Sequence, residues 1–384
     1  MKIIINEIKK IFNLKMITLL IIGSAIFYQL FISFEIEFFP NGRPKLDIYN
    51  IMVQMIDNYG HEMDEIEFQN FKNIYEKKLI EANNFLNTNK DFNAVGVYSY
   101  EDFLNEDSKV FSEEGNEKFE NVKLDYLNKE EGTIFWELQE FPNLIAFYED
   151  RDDYYSVSLD EEKYKQRINE IISNDENEAI LPNIVFGNYN NIIMYVGLGI
   201  VIGIAFMLTP IFLRDKKDKL NYLQYSSKHG RKLFKSKLIA GIISALIITT
   251  IELVIYFVLY NGNNTTMFFE SNINSVFNNS FWFNITFIQY IILTVVGIYI
   301  ISTITAFVSM FISNKVNNYI SSIGIQVPTL FIIGGLTVGI LLNNLFILYM
   351  PKYLALVIYL TLAIIAVIIT KNSTKKERIV DVNN

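Results

Sequence analysis

Few residues in this chain have the types and spacing that chemistry requires. A phosphate-cradling loop needs Gly-x-x-x-x-Gly-Lys-Ser/Thr between a strand and a helix, and the nearest run, Gly230-Arg231-Lys232, lacks both the spacing and the setting. His61-Glu62 opens like a zinc-hydrolase motif, but the position that needs the second histidine is Glu65. Cysteine is absent, which leaves no thiolate metal site, no thiolate nucleophile and no disulfide, and His229, the only other histidine, is assigned to the opposite side of the membrane from His61, which argues against a histidine-based metal site or triad. What remains are polar side chains inside apolar runs. Glu252 is the single acidic residue within such a run. A carboxylate at a span centre costs about 3 kcal/mol unless it is protonated, paired or facing water. Glu252 is therefore a candidate lining residue of a substrate path or of a subunit interface, against the plainer reading that it reaches headgroups near a span end. Gln289 and Gln326 are further candidates for hydrogen bonds between helices.

These residues sit in a chain of 384 residues, 51% hydrophobic, with a net charge of −9. The charge is not spread evenly. Residues 35–190 hold 35 Asp+Glu against 14 Lys+Arg, a balance of −21, and the remainder carries +12. One acidic polar block within a basic apolar remainder describes an integral membrane protein with a single soluble domain. The expected fold class is mainly α, with six transmembrane helices and a large, mostly helical extracellular domain between the first two. Residues 1–15 read as an amphipathic helix with Ile4, Ile8 and Ile11 on one face. Spans follow at 16–34, 191–213, 238–260, 284–312, 319–342 and 353–370, each near the ~20 residues that cross a bilayer. The segments assigned inside hold 18 Lys+Arg, against Lys352 alone in the short outer loops. That asymmetry places both termini, including the tail 371–384, on the cytoplasmic side. The composition suggests a bacterial gene, hence a multi-pass protein of a bacterial cytoplasmic membrane.

Within the domain at 35–190, helical periods run through Ile48–Ile56, stopped by Gly60, and through Phe68–Leu86. Ser158-Leu159-Asp160-Glu161 has the form of a capping box ahead of Tyr164, Ile168, Ile171 and Ile172. Thr133–Leu138 and Tyr154–Val157 read as short strands. In the external loop 261–283, Trp282 reads as an interfacial anchor, and Pro328 as a kink in the fifth span. The apolar stretch Asn343–Lys352 either extends its flanking spans or dips back into the outer leaflet.

Between the second and third spans lies the basic loop 214–237, with nine Lys+Arg. Charge alone makes it a topology signal. Leu220 and Leu223, beside Tyr222 and Tyr225, suit a short surface helix, and Gly230 offers a turn. The order Tyr225-Ser226-Ser227-Lys228-His229-Gly230-Arg231, with Lys237 at the mouth of the next span, resembles the first cytoplasmic loop of ATP-binding-cassette exporter permeases of the type-two class. In place of the Glu and Gly-Thr pair frequent in that family, this chain has Asp215, Asp218 and Asn221. The in-plane helix ahead of the first span is similar to that family's start.

The resemblance implies a non-catalytic permease subunit whose coupling loop, through Leu220, Leu223, Tyr225, Lys228, Gly230, Arg231 and Lys237, docks on a separate ATPase subunit. It implies two copies of that ATPase, a second permease chain of the same or a homologous sequence, and ATP with magnesium bound on the ATPase rather than on this chain. No nucleic-acid partner is expected. A large domain between the first two spans, as in relatives that handle peptides or antibiotics, implies an antimicrobial, lantibiotic-like or other amphiphilic substrate. The competing reading is a membrane sensor whose acidic extracellular domain attracts a cationic ligand.

Overall fold

The computed structural model describes residues 2–109, 116–153, 162–218, 230 and 232–379. It is mainly helical, and the described residues hold no strand, only isolated bridges. Six helices are long and apolar enough to cross a membrane: Leu14–Phe31, Asn183–Lys217, Lys232–Asn263, Phe287–Lys315, Tyr319–Leu341 and Leu354–Glu377. The chain divides into two compact units. One comprises 1–39, 187–264 and 288–384; the other comprises 40–186 and 265–287.

The six spans belong to the first unit, and their side-chain pairs fix their directions. Between the first and third spans, Ser24 meets Glu252 and Tyr28 meets Tyr256, so these two run parallel. The second span opposes the first, because Gly203 receives Leu20 and Gly199 receives Phe27. Those two glycines, four residues apart, let the backbones approach as small residues do in packed membrane helices. Gly241 against Met310 and Thr249 against Ser302 set the fourth span antiparallel to the third. Leu198 against Gly334 and Thr209 against Gln326 set the fifth antiparallel to the second. Gly297 against Tyr359 and Asn314 against Glu377 set the sixth parallel to the fourth. The six helices therefore alternate. The amphipathic helix Lys2–Ile11, both ends of the basic loop and the turn 316–318 lie at one end of this bundle, with the tail.

At the opposite end, Glu35 is held by asparagines. Asn188 donates to its backbone carbonyl at 2.7 Å and to its carboxylate at 3.0 Å, Asn191 donates to the carboxylate at 2.9 Å, and Asn263 donates to the carbonyl at 3.0 Å. The second span begins at Asn183, earlier than apolarity suggested, because these polar residues satisfy one another while the backbone stays helical. Asn343–Lys352 neither extends a span nor forms a helix. The fifth span ends in a π-turn over Thr337–Leu341, and the chain then folds back with Leu345, Ile347 and Leu348 buried. The backbone N–H groups it frees are taken by Asn190 (from Asn344, 3.1 Å) and by the Tyr290 hydroxyl (from Leu345, 3.0 Å). Irregular backbone at this depth persists only where such partners exist.

The second unit is built from helices Lys45–Tyr59, Glu65–Thr88, Tyr100–Lys109, Glu117–Leu127, Thr133–Glu149 and Glu162–Ser173. Gly60 stops the first with φ 84°, and an Asp64–Glu67 capping box starts the second. Phe92, Phe103, Phe119 and Phe135 pack at the centre, with Phe103 and Phe135 stacked at 4.9 Å. Thr133–Leu138, read as a strand, is the start of a helix. Phe135, Leu138, Phe141, Leu144 and Tyr148 are buried at intervals of three and four, and that period overrides the aromatic content of the run. Tyr154–Val157 and the capping box Ser158–Glu161 fall outside the described residues, although the helix they precede buries Tyr164, Ile168 and Ile171 as expected.

Segment 265–287 is an integral part of this unit rather than a free loop. Arg167 grips Glu176 through both Nη atoms at 3.1 and 2.6 Å and donates from Nε to the Phe281 carbonyl at 3.1 Å. Asn274 adds a bond to Glu176 at 2.7 Å. Trp282, expected as an interfacial anchor, is instead buried, its ring 5.7 Å from that of Tyr164. On the helix Lys45–Tyr59, Asp47 is fully buried and accepts from Arg43 at 2.8 Å. Burial pushes its carboxyl above the usual carboxylate range; Arg43 opposes this, and the charges of Glu137 and Glu140 add to the rise.

Candidate functional site

The basic loop is rooted in a buried charge cluster at the end of the bundle. Lys237, at the start of the third span, is 2% exposed, as is Asp215 at the end of the second. The Lys237 ammonium donates to the Asp215 carboxylate at 2.5 Å and to the Ile211 carbonyl at 2.8 Å, and it forms an ion pair with Glu7 at 3.2 Å. Lys10 closes the cluster, 2.7 Å from Glu7 and 3.8 Å from Asp215. Two carboxylates and two ammoniums make the group neutral, which is the condition for burying it. Lys237 was expected to face a docking partner, but it is fully engaged inside the bundle. It ties the amphipathic helix to both ends of the loop.

Other contacts fasten the same region. Lys216 donates to the carbonyls of Asn314 and Val316, the latter at 3.0 Å, so it caps the end of the fourth span. Asn314 donates to Glu377 at 3.0 Å. Gly230 has φ 39° and accepts from the Leu233 N–H at 3.1 Å, the turn its sequence predicted. Leu220, Leu223, Tyr225, Lys228 and Arg231 lie outside the described residues.

Just inside the loop the second span is interrupted at Thr209–Pro210, since proline has no N–H to continue the ladder. Neighbouring spans supply the missing partners. Ser313 donates to the Thr209 carbonyl at 2.7 Å and accepts from the Phe212 N–H at 3.2 Å. Gln326 accepts from the Thr209 hydroxyl at 2.6 Å and is buried, the interhelical role expected of it. Gln289 is exposed at the start of the fourth span. Glu252 is 8% exposed and accepts from the Ser24 hydroxyl at 2.7 Å, so it faces the first span.

Sequence reasoning missed Glu7, Asp215 and Ser313 as partners. Glu7 carried a signal: it is the only acidic residue in the first 34 and lies on the Ile4–Ile11 face. The described residues contain no group of His, Cys, Asp and Glu side chains placed to hold a metal ion. Comparison with models of known protein families, with characterised proteins and with solved structures finds no match.

Proposed function

We propose that this chain is the membrane-spanning permease subunit of an ATP-driven exporter of the type-two class. In this reading the spans lie in a bacterial cytoplasmic membrane, with both termini and the basic loop inside and residues 40–186 outside. The loop docks on a separate ATPase, present in two copies, and a second permease chain completes the pathway. ATP and magnesium belong to the ATPase. Nucleotide-driven closure of the ATPase pair moves the docked loop, and the spans rearrange to expel an antimicrobial-peptide-like amphiphile, for export or self-immunity.

The observation that carries this reading is the rooting of the loop. A loop that serves only as a topology signal needs no internal bonds, because its charge alone keeps it from crossing. Here both ends are locked by buried polar contacts to the amphipathic helix and to the fourth span. A push on the loop is thereby delivered to several helices at once. The Thr209–Pro210 break, bridged by side-chain hydrogen bonds rather than continuous helix, gives the second span a place to bend. Co-expression with the product of a neighbouring ATPase gene, followed by affinity purification of the permease, tests the reading: an ATPase should be retained, and its absence counts against the proposal.

A further inference from the structure

Glu252 lies eight residues before the end of its helix at Tyr260, which places it ~12 Å inside the span. Among the described residues, its one hydrogen-bond donor is the neutral hydroxyl of Ser24, at 2.7 Å. No Lys, Arg or His forms an ion pair with it among the described residues, whereas the buried carboxylates at the base of the loop, and Glu176 in the other unit, each have a cationic partner. Ser24 and Tyr28 stand one turn apart on the first span, as Glu252 and Tyr256 do on the third. The two pairs face each other, with the rings of Tyr28 and Tyr256 6.4 Å apart. The Tyr28 hydroxyl then donates to the exposed carboxylate of Glu37 at 3.3 Å. From the interior outward the order is carboxylate, two aromatic rings, carboxylate.

An apolar surround, one carboxylate without a counter-ion and two electron-rich rings are the elements that recognise an organic cation. We infer that Glu252, Tyr28 and Tyr256 bind a lipophilic monocation, the ammonium- or guanidinium-bearing part of an amphiphile, where the first and third spans meet. The wall on one side is the first span, none of whose residues is buried. A ligand dissolved in the bilayer reaches Glu252 by parting the first span from the third, which breaks the Ser24–Glu252 bond. This inference names a substrate class for the proposed transporter; it rests on the membrane-spanning part of that reading and needs no ATPase.

The test uses the full-length chain in nanodiscs of zwitterionic lipid, without ATPase, and equilibrium dialysis against labelled tetraphenylphosphonium, a lipophilic cation of fixed charge. Saturable binding above that of empty nanodiscs is expected. Glu252→Gln should weaken it about tenfold or more, since the buried charge of the site is removed. Tyr256→Leu should weaken it several-fold, while Tyr256→Phe, which keeps the ring, stays near wild type. Binding no greater than that of empty nanodiscs overturns the inference, as does wild-type affinity in Glu252→Gln. If Glu252→Gln fails to insert, wild-type affinity in an inserted Tyr256→Leu chain overturns it equally. Cation binding by a chain that captures no ATPase supports this inference and removes the exporter reading. An ATPase complex whose permease binds no cation does the reverse.

Discussion

Replacing Lys237 with methionine should release the amphipathic helix from the bundle. The substitution keeps much of the side-chain volume and removes the ammonium that contacts Asp215 at 2.5 Å and Glu7 at 3.2 Å. Removing one partner of a buried ion pair costs about 3–5 kcal/mol, because the charges left behind remain desolvated. Lys10 stays 2.7 Å from Glu7 and compensates in part, which sets the expectation at the lower end, ~3 kcal/mol. At about 1.4 kcal/mol per factor of ten, the helix should open on the order of a hundredfold more often. The chain has no cysteine, so Ile11→Cys, at a position 5% exposed on that helix, gives a clean reporter. Its reaction with a thiol reagent should accelerate by about that factor in the Lys237→Met background, if labelling follows local opening. Lys10→Met is the control. That side chain is 43% exposed and water can take over part of its role, so its loss should accelerate labelling far less than the loss of Lys237. Neutralising the acidic partners as well, with Glu7→Gln and Asp215→Asn, should restore slow labelling. A Lys237→Met chain that labels within about threefold of its parent, well short of the ~3 kcal/mol effect, refutes the argument.

Two further outcomes follow from the second unit. Arg167→Met leaves Glu176 buried and charged and removes a bond to the Phe281 carbonyl; it should cost about 3–5 kcal/mol and speed protease cleavage within 265–287, and unchanged cleavage would contradict the assigned role. Asp47→Asn tests a titration: the folded carboxyl is raised above its ordinary 3.8, so the stability it contributes is present below that value and lost as pH rises through the folded one. The stability of the wild type relative to the Asn variant, from thermal unfolding across the acid range, should therefore fall with rising pH, and a difference that grows with pH is the contrary result.

The apolar runs and the Lys/Arg asymmetry made the six helices legible, because crossing a membrane imposes length and composition directly on the sequence. Helical period in the polar block was legible for the same local reason, as Gly60 and the Phe68–Leu86 face show. What could not be read were long-range pairings. Nothing local says that Lys237 answers Glu7, 230 positions earlier, or that 265–287 completes the unit formed by 40–186. Trp282 looked like an anchor because composition cannot distinguish lipid headgroups from Tyr164 as the neighbour of an indole ring. Thr133–Leu138 was misread because six residues are too few to separate a twofold from a 3.6-fold period.

The exporter reading stands most directly on the docking of the basic loop. Leu223→Asp with Tyr225→Asp would place charge at the centre of a packed contact. In the full chain co-expressed with its ATPase, the double variant should insert normally yet lose the ATPase on purification, with stimulated hydrolysis and transport falling together. Lys228→Gln, which leaves the apolar side chains Leu223 and Tyr225 in place, should do far less. If the double variant retains the ATPase at the wild-type level, the loop is a topology signal alone, and the account of this chain as a permease is contradicted.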